Sequence, residues 1–263
     1  MSNTRQETRF KDLADRFLDC YSEGELPPVP IGVRLIPKGM EIPMGLTPSK
    51  EYLGMPWCQA IRVAEIEKEA IVLDQTNIGC PAAAISLGLV DAYDEEPLGG
   101  KRRYTDLMAK TPASPADFTT GRVYACKDSD HMQFALFGDK DVGRYETLGK
   151  AMHAIQGMKA IQPAIMKAAV VYPAGYLDLT PDVVILAIKP KQALLAIQGY
   201  NFLSGDRFHM STIGIRGVCA DLTAAPYLEQ RLNGSFLCLG ARALGGWEGE
   251  FVGLGIPFTE MSR

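Results

Sequence analysis

The sequence has no two cysteines in a CxxC spacing, although six cysteines occur along its 263 residues. That absence excludes the strongest signatures of zinc ribbons, thioredoxin-type redox sites and ferredoxin-type clusters. Histidine is equally scarce: His131, His153 and His209 are the whole set, and no two of them are spaced as a metal pair on one helix. There is no HExxH, no Gly-x-Ser-x-Gly elbow and no phosphate loop ending in Gly-Lys-Ser or Gly-Lys-Thr, so zinc protease, serine hydrolase and P-loop chemistry have no foothold. No apolar run approaches the roughly 18 residues that suggest a membrane span. The opening MSNTRQETRFKDLADRF is charged throughout and lacks the apolar centre of a secretory signal. Positive charge is not in excess either: 27 Lys and Arg stand against 31 Asp and Glu, and a net charge of -4 offers no broad field to nucleic acid or an anionic membrane. The expectation is a cytoplasmic chain with neither partner, whose cysteines serve as thiols, metal ligands or reactive groups rather than bridges.

What is present is an ordinary globular composition, 47% hydrophobic and 22% charged. Residues 5–21 place Phe10, Leu13, Ala14, Phe17, Leu18 and Tyr21 at steps of three and four, predicting an amphipathic helix. A strand is expected over 31–36, an ordered Pro- and Gly-rich loop over 37–56, a helix over 58–68 and a buried strand over 70–73. Cys80 follows Gly79 and precedes Pro81, a residue suited to the first helical position, so it opens a small-residue helix ending at Gly88. The polar stretch 91–115 is expected to be an excursion or lid, followed by a helix over 145–158, strands over 168–172 and 183–188, and a helix over 192–203. The glycines 245, 246, 249, 253 and 255 suggest a flexible cleft edge or a closely packed strand.

Helices mixed with short apolar strands indicate an α/β or α+β fold with a mixed sheet. The two parts of the chain also resemble each other. Gln59-Ala60 leads to Gly79-Cys80 and an alanine-rich segment, and Gln192-Ala193 leads to Gly217-Val218-Cys219 and another. This predicts an internal duplication, with similar lobes over 25–120 and 165–263 within one domain, 1–263, sharing one sheet or cleft.

Taken in order, Pro56-Trp57-Cys58-Gln59-Ala60, Gly79-Cys80-Pro81-Ala82 with Leu87-Gly88-Leu89, Pro181 to Ile185 before Lys189-Pro190-Lys191-Gln192-Ala193, Gly217-Val218-Cys219 and Cys238-Leu239-Gly240-Ala241-Arg242 resemble the domain of unknown function 169 family. The resemblance covers nearly the whole chain, and its best-matching positions are Cys58, Cys80 and Cys219. It implies one architecture with recurrent cysteines and an anaerobic setting, without naming a reaction. Cys20 and Cys126 fall outside the matching segments.

A thiol in the first turn of a helix gains from the free N–H groups there, which favour thiolate; Cys80 and Cys219 meet that condition. Cys58, Cys80 and Cys219 together are candidate ligands of an iron–sulfur cluster with one iron open, or of zinc with one water, and the shortage of histidine favours iron–sulfur. Read singly, each cysteine is more simply a small buried hydrophobe; read as a group of three, the balance shifts toward a centre. Asp221 is a candidate general acid or base, against a plain role as a first-turn carboxylate. Arg242 is a candidate clamp for an anionic ligand, against a structural ion pair, and Trp57 and Trp247 are candidate pocket walls, against simple core. His131 sits in an Asp-rich stretch that reads as a solvated turn. The function expected is an enzyme of anaerobic metabolism that holds a small anionic molecule at a cysteine-ligated centre between lobes, in a chain suited to homodimer formation. A non-catalytic cofactor- or ligand-binding accessory protein is one alternative, and a metal-free enzyme with Cys80 as nucleophile is another.

Overall fold

The computed structural model describes residues 10–16, 19, 29–90, 157, 159–212, 216–238, 241, 242, 245–247 and 249–261. The expected lid over 91–115, the helix over 145–158 apart from residue 157, and Cys20, Cys126, His131 and His153 lie outside them. Among the described residues the fold is α+β, built on one six-stranded sheet in which every pairing is antiparallel. The strands are β1 (Ile31–Pro37), β2 (Ile71–Asp74), β3 (Met166–Pro173), β4 (Val183–Ile188), β5 (Asn233–Ser235) and β6 (Val252–Pro257), in the order β2-β3-β1-β4-β6-β5.

The central strands are apolar almost without interruption, as in MKAAVVYP and VVILAI, because both faces of the sheet are covered. In β4, Val183, Ile185 and Ala187 point to one core, while Val184 points to a second and Leu186 and Ile188 to a third. The first core lies beneath α2 (Trp57–Glu67), α3 (Pro81–Ser86) and a π-helix at Gly217–Ala224. On the opposite face sit α1, the helical stretch 10–16, with α4 (Pro190–Ser204) and α6 (Phe258–Met261). Phe10 of α1 meets Tyr172 and Phe258 edge-on, with ring centroids 6.0 and 5.9 Å apart. α5 (Ala225–Glu229) continues directly from the π-helix.

The expected strands and helices between 29 and 90 and between 166 and 204 are present, with boundaries shifted by a few residues. The glycine series resolves in favour of the packed strand: Gly253 and Gly255 lie in β6, where a methyl on Gly255 would come within 2.2 Å of the Leu222 carbonyl oxygen. The missing side chains let the π-helix lie against the strand. β3, from the expected second lobe, is inserted between β1 and β2 of the first, so the two halves share one sheet, and an internal duplication is not shown.

Candidate functional site

Backbone hydrogen bonds bring the starts of α2 and α3 side by side. Gly79 N donates to Met55 O (2.9 Å), Gly54 N donates to Asn77 O (2.7 Å), and Met55 and Ile78 form a short parallel bridge. Gly79 packs so tightly on Gly54 that no larger residue fits. Cys58, the second residue of α2, and Cys80, the N-cap of α3, are thereby carried to the same end of the two helices.

The π-helix closes the site from the third side. Arg216, in a left-handed conformation at φ 52°, offers its carbonyl to both Ala220 N (2.8 Å) and Asp221 N (3.2 Å), and the second of these bonds sets the wider π register. Thr223 Oγ1 donates to Val218 O (2.8 Å) and accepts from Trp57 Nε1 (3.1 Å), fastening the π-helix to α2. Arg216 is itself buried, and its Nη1 donates to Ser86 Oγ (3.3 Å) at the end of α3. The Cys219 sulfur makes a long thiol contact of 3.8 Å to Arg216 O. Gly217 abuts the stretch after β5, where a methyl would lie 2.8 Å from Cys238 N.

Cys219 belongs to the first core, Cys58, Cys80 and Cys238 pack against it, and none of the four is in a disulfide. Cys238 and Cys80 each interact electrostatically with the other three, and Arg216 puts positive charge beside Cys80 and Cys219. Burial dominates the titration. It pushes the thiols of Cys58, Cys80 and Cys219 up, and their mutual repulsion adds to the effect. The Ala82 and Ala83 amides lie toward the Cys80 sulfur without closing a capping bond and pull its pKa down, as the helix-start argument anticipates, but desolvation outweighs them. In a helix of six residues the dipole is short.

The remaining candidates occupy different positions. Asp221 is not in a first turn. It is the fifth residue of the π-helix, buried, and accepts from Thr212 Oγ1 (2.6 Å) and Ser235 Oγ (3.2 Å). Burial pushes its carboxyl up to about 7, against the pull of both hydroxyls. Arg242 directs its fork at main chain: Nη1 donates to Trp247 O and Gly249 O, and Nη2 to Phe236 O and Phe251 O, so it organises the C-terminal loop. Trp57 and Trp247 are each 1% exposed and belong to the first core rather than to an open wall. Sequence reasoning assigned Arg216 and Cys238 no role at the site. The available signal for Arg216 was a lone charge inside the apolar run Ile213 to Ala220.

Among the described residues no three Cys, His, Asp or Glu side chains stand close enough together, as they are, to hold a metal ion, and no helix is long and apolar enough to cross a membrane. An uncharacterized protein of the archaeon Methanocaldococcus jannaschii is 23% identical over 230 residues, covering 86% of this chain and 81% of the relative. No solved structure matches. The family model of DUF169, described as uncharacterised ArCR, matches residues 22–263, and the chain belongs to that family.

Proposed function

We propose that the chain is a small-molecule enzyme working at a cysteine-ligated centre, iron–sulfur in preference to zinc, held by Cys58, Cys80 and Cys219. The observation that carries this reading is the convergence of these thiols at helix starts beside the buried Arg216. The donor set fits such a group in kind, because soft sulfur without histidine suits iron–sulfur or zinc. It does not fit in spacing: among the described residues no three such side chains stand close enough to hold a metal ion. Buried thiols that repel one another's charge are poor nucleophiles, but a cation that displaces their protons removes the cause of the high pKa. A centre of this kind supplies a Lewis acid or a sulfur carrier. Arg216 adds positive charge where a small anionic substrate would sit. Asp221, at about 7, can hold or release a proton near neutrality.

Protein prepared without oxygen should be brown, with visible sulfur-to-iron absorption and iron at cluster stoichiometry. Colourless, metal-free protein with every thiol open to titration would remove the reading. The engagement of Arg242 and Trp57 inside the fold favours, as a second reading, an accessory protein that binds a cofactor without turnover. Replacing the three cysteines by serine separates the two: an enzyme loses metal and turnover together, whereas an accessory protein has no turnover to lose. The raised thiols oppose a metal-free Cys80 nucleophile, for which selective alkylation at neutral pH would be required.

A further inference from the structure

We propose that the outer face of α4 is a homodimer interface, on which a second copy of the chain packs its own α4 antiparallel across a two-fold axis at Gln198. This surface lies on the other side of the sheet from the first core and its cysteines, and it does not depend on how they are read.

The observation that carries it is a helix apolar on both sides. The inner side of α4 meets the sheet through Ala193, Ala196 and Tyr200, which pack with Leu186, Ile188 and Leu254. A helix seated on a core in this way ordinarily turns charge toward water on its other side. α1 does so with exposed Lys11, Asp12, Asp15 and Arg16, and α2 carries Arg62, Glu65 and Glu67 outside its buried stripe. α4 has a single charged residue, Lys191, among its 15. Its outer side reads Lys191, Leu194, Leu195, Gln198 and Phe202, steps of three and four that line up as one stripe. All five are exposed, Leu194 by 55%, Leu195 by 46% and Phe202 by 88%. A helix that is apolar all round belongs inside something.

Three features select a second copy as the occupant. The first is area. Leu194, Leu195 and Phe202 leave about 400 Å² of apolar surface uncovered, half of the roughly 800 Å² that each partner gives to a standard interface. Leu203, 63% exposed at the end of the helix, and the stems of Lys191 and Gln198 supply much of the remainder. The second is symmetry. Leu194 and Phe202 each stand four residues from Gln198, one before it and one after. Two copies laid antiparallel about Gln198 therefore set each Leu194 against the other's Phe202, an anchor on its neighbour twice over. The two Gln198 amides then face each other, and an amide holds both a donor and an acceptor, so they satisfy one another. The third is charge. The antiparallel arrangement carries Lys191, the stripe's lone cation, to the last turn of the partner's α4, where the helix dipole favours positive charge. A partner recognised by charge would find almost nothing on this face to read.

Sedimentation of the full chain, kept reduced so that no disulfide links two copies, tests this. The unaltered chain should sediment as a dimer from micromolar concentration upward. Phe202→Glu alters a side chain already in water, so the circular dichroism should be unchanged, while dimerisation weakens by about thirtyfold or more, as on losing a central anchor. Leu228→Glu, on α5 across the sheet, should sediment like the unaltered chain. Gln198→Glu and Gln198→Lys locate the axis. Each sets like charges face to face and should weaken dimerisation about tenfold, and an equimolar mixture of the two should dimerise more tightly than either alone. A mixture that behaves as the average of its parts overturns the axis at Gln198, and a dimer that persists in Phe202→Glu overturns the interface. An unaltered chain that stays monomeric overturns it as well; flotation of that monomer with phosphatidylcholine vesicles would give the stripe to a lipid surface instead, and failure to float would give it to a different protein.

Discussion

At the scale of single residues, burial decides the chemistry more than helix position does. Asp221 makes this concrete. Its two hydroxyl donors favour the carboxylate, yet removal from water lifts the group from the ordinary 3.8 to about 7. The folded chain therefore holds a proton that the unfolded chain releases between those values. Stability from this group is fully present below about pH 4 and is lost as the pH rises through 7, by an amount on the order of 4 kcal/mol. Asp221→Asn keeps an acceptor for Thr212 or Ser235 and cannot ionise. Urea unfolding at several pH values should show the wild-type chain weakening from pH 4 to 7 and the variant weakening much less; parallel profiles would mean that the carboxyl is solvated. The same ordering of effects explains the thiols. The sequence places Cys58, Cys80 and Cys219 near helix starts, and the folded chain puts them there, but their depth could not be read from spacing.

Among elements, the π-helix is the feature that assembles the site. Its widened turn depends on Arg216 O receiving two amides and on the Thr223 hydroxyl bonding back to Val218 O, neither of which has a periodicity signature. An alanine-rich helix was legible over these residues; its π register was not. β6 shows the converse, since its glycines announced a close approach whose partner, Leu222, only the fold supplies. Gly255→Ala must push its methyl into backbone at 2.2 Å, with no flexible side chain to yield. It should cost about 3 kcal/mol or more, the upper end of overpacking. Gly199→Ala, mid-helix in α4 with open space around it, should instead stabilise by about 0.5–1 kcal/mol. Chemical denaturation of both variants checks the pair, and equal effects would mean that the π-helix does not press on β6 as described.

For the whole molecule, strand composition was readable and strand order was not. β3 and β4 are apolar on both sides, a pattern commonest in parallel sheets flanked by helices, and here the same double coverage is achieved with every strand antiparallel. The similarity of Gln59-Ala60 to Gln192-Ala193 suggested two similar lobes sharing one sheet or cleft, and the pairing ties the two halves into one sheet. β3 bonds β1 along Ile31–Pro37 and β2 along Ile71–Asp74, and β1 and β2 have no direct pairing with each other. A fragment of residues 25–120 carries both strands without the one that joins them, exposing two rows of unpaired backbone groups and the apolar faces of Val33, Leu35, Ile71 and Leu73. It should show no cooperative thermal transition by circular dichroism and should aggregate at concentrations where the full chain stays monodisperse. Mixing it with the separately produced 165–263 fragment, which supplies β3, should restore a cooperative transition. A sharp melt from 25–120 alone would mean that the first half has a core of its own and that the sheet is an assembly of two units.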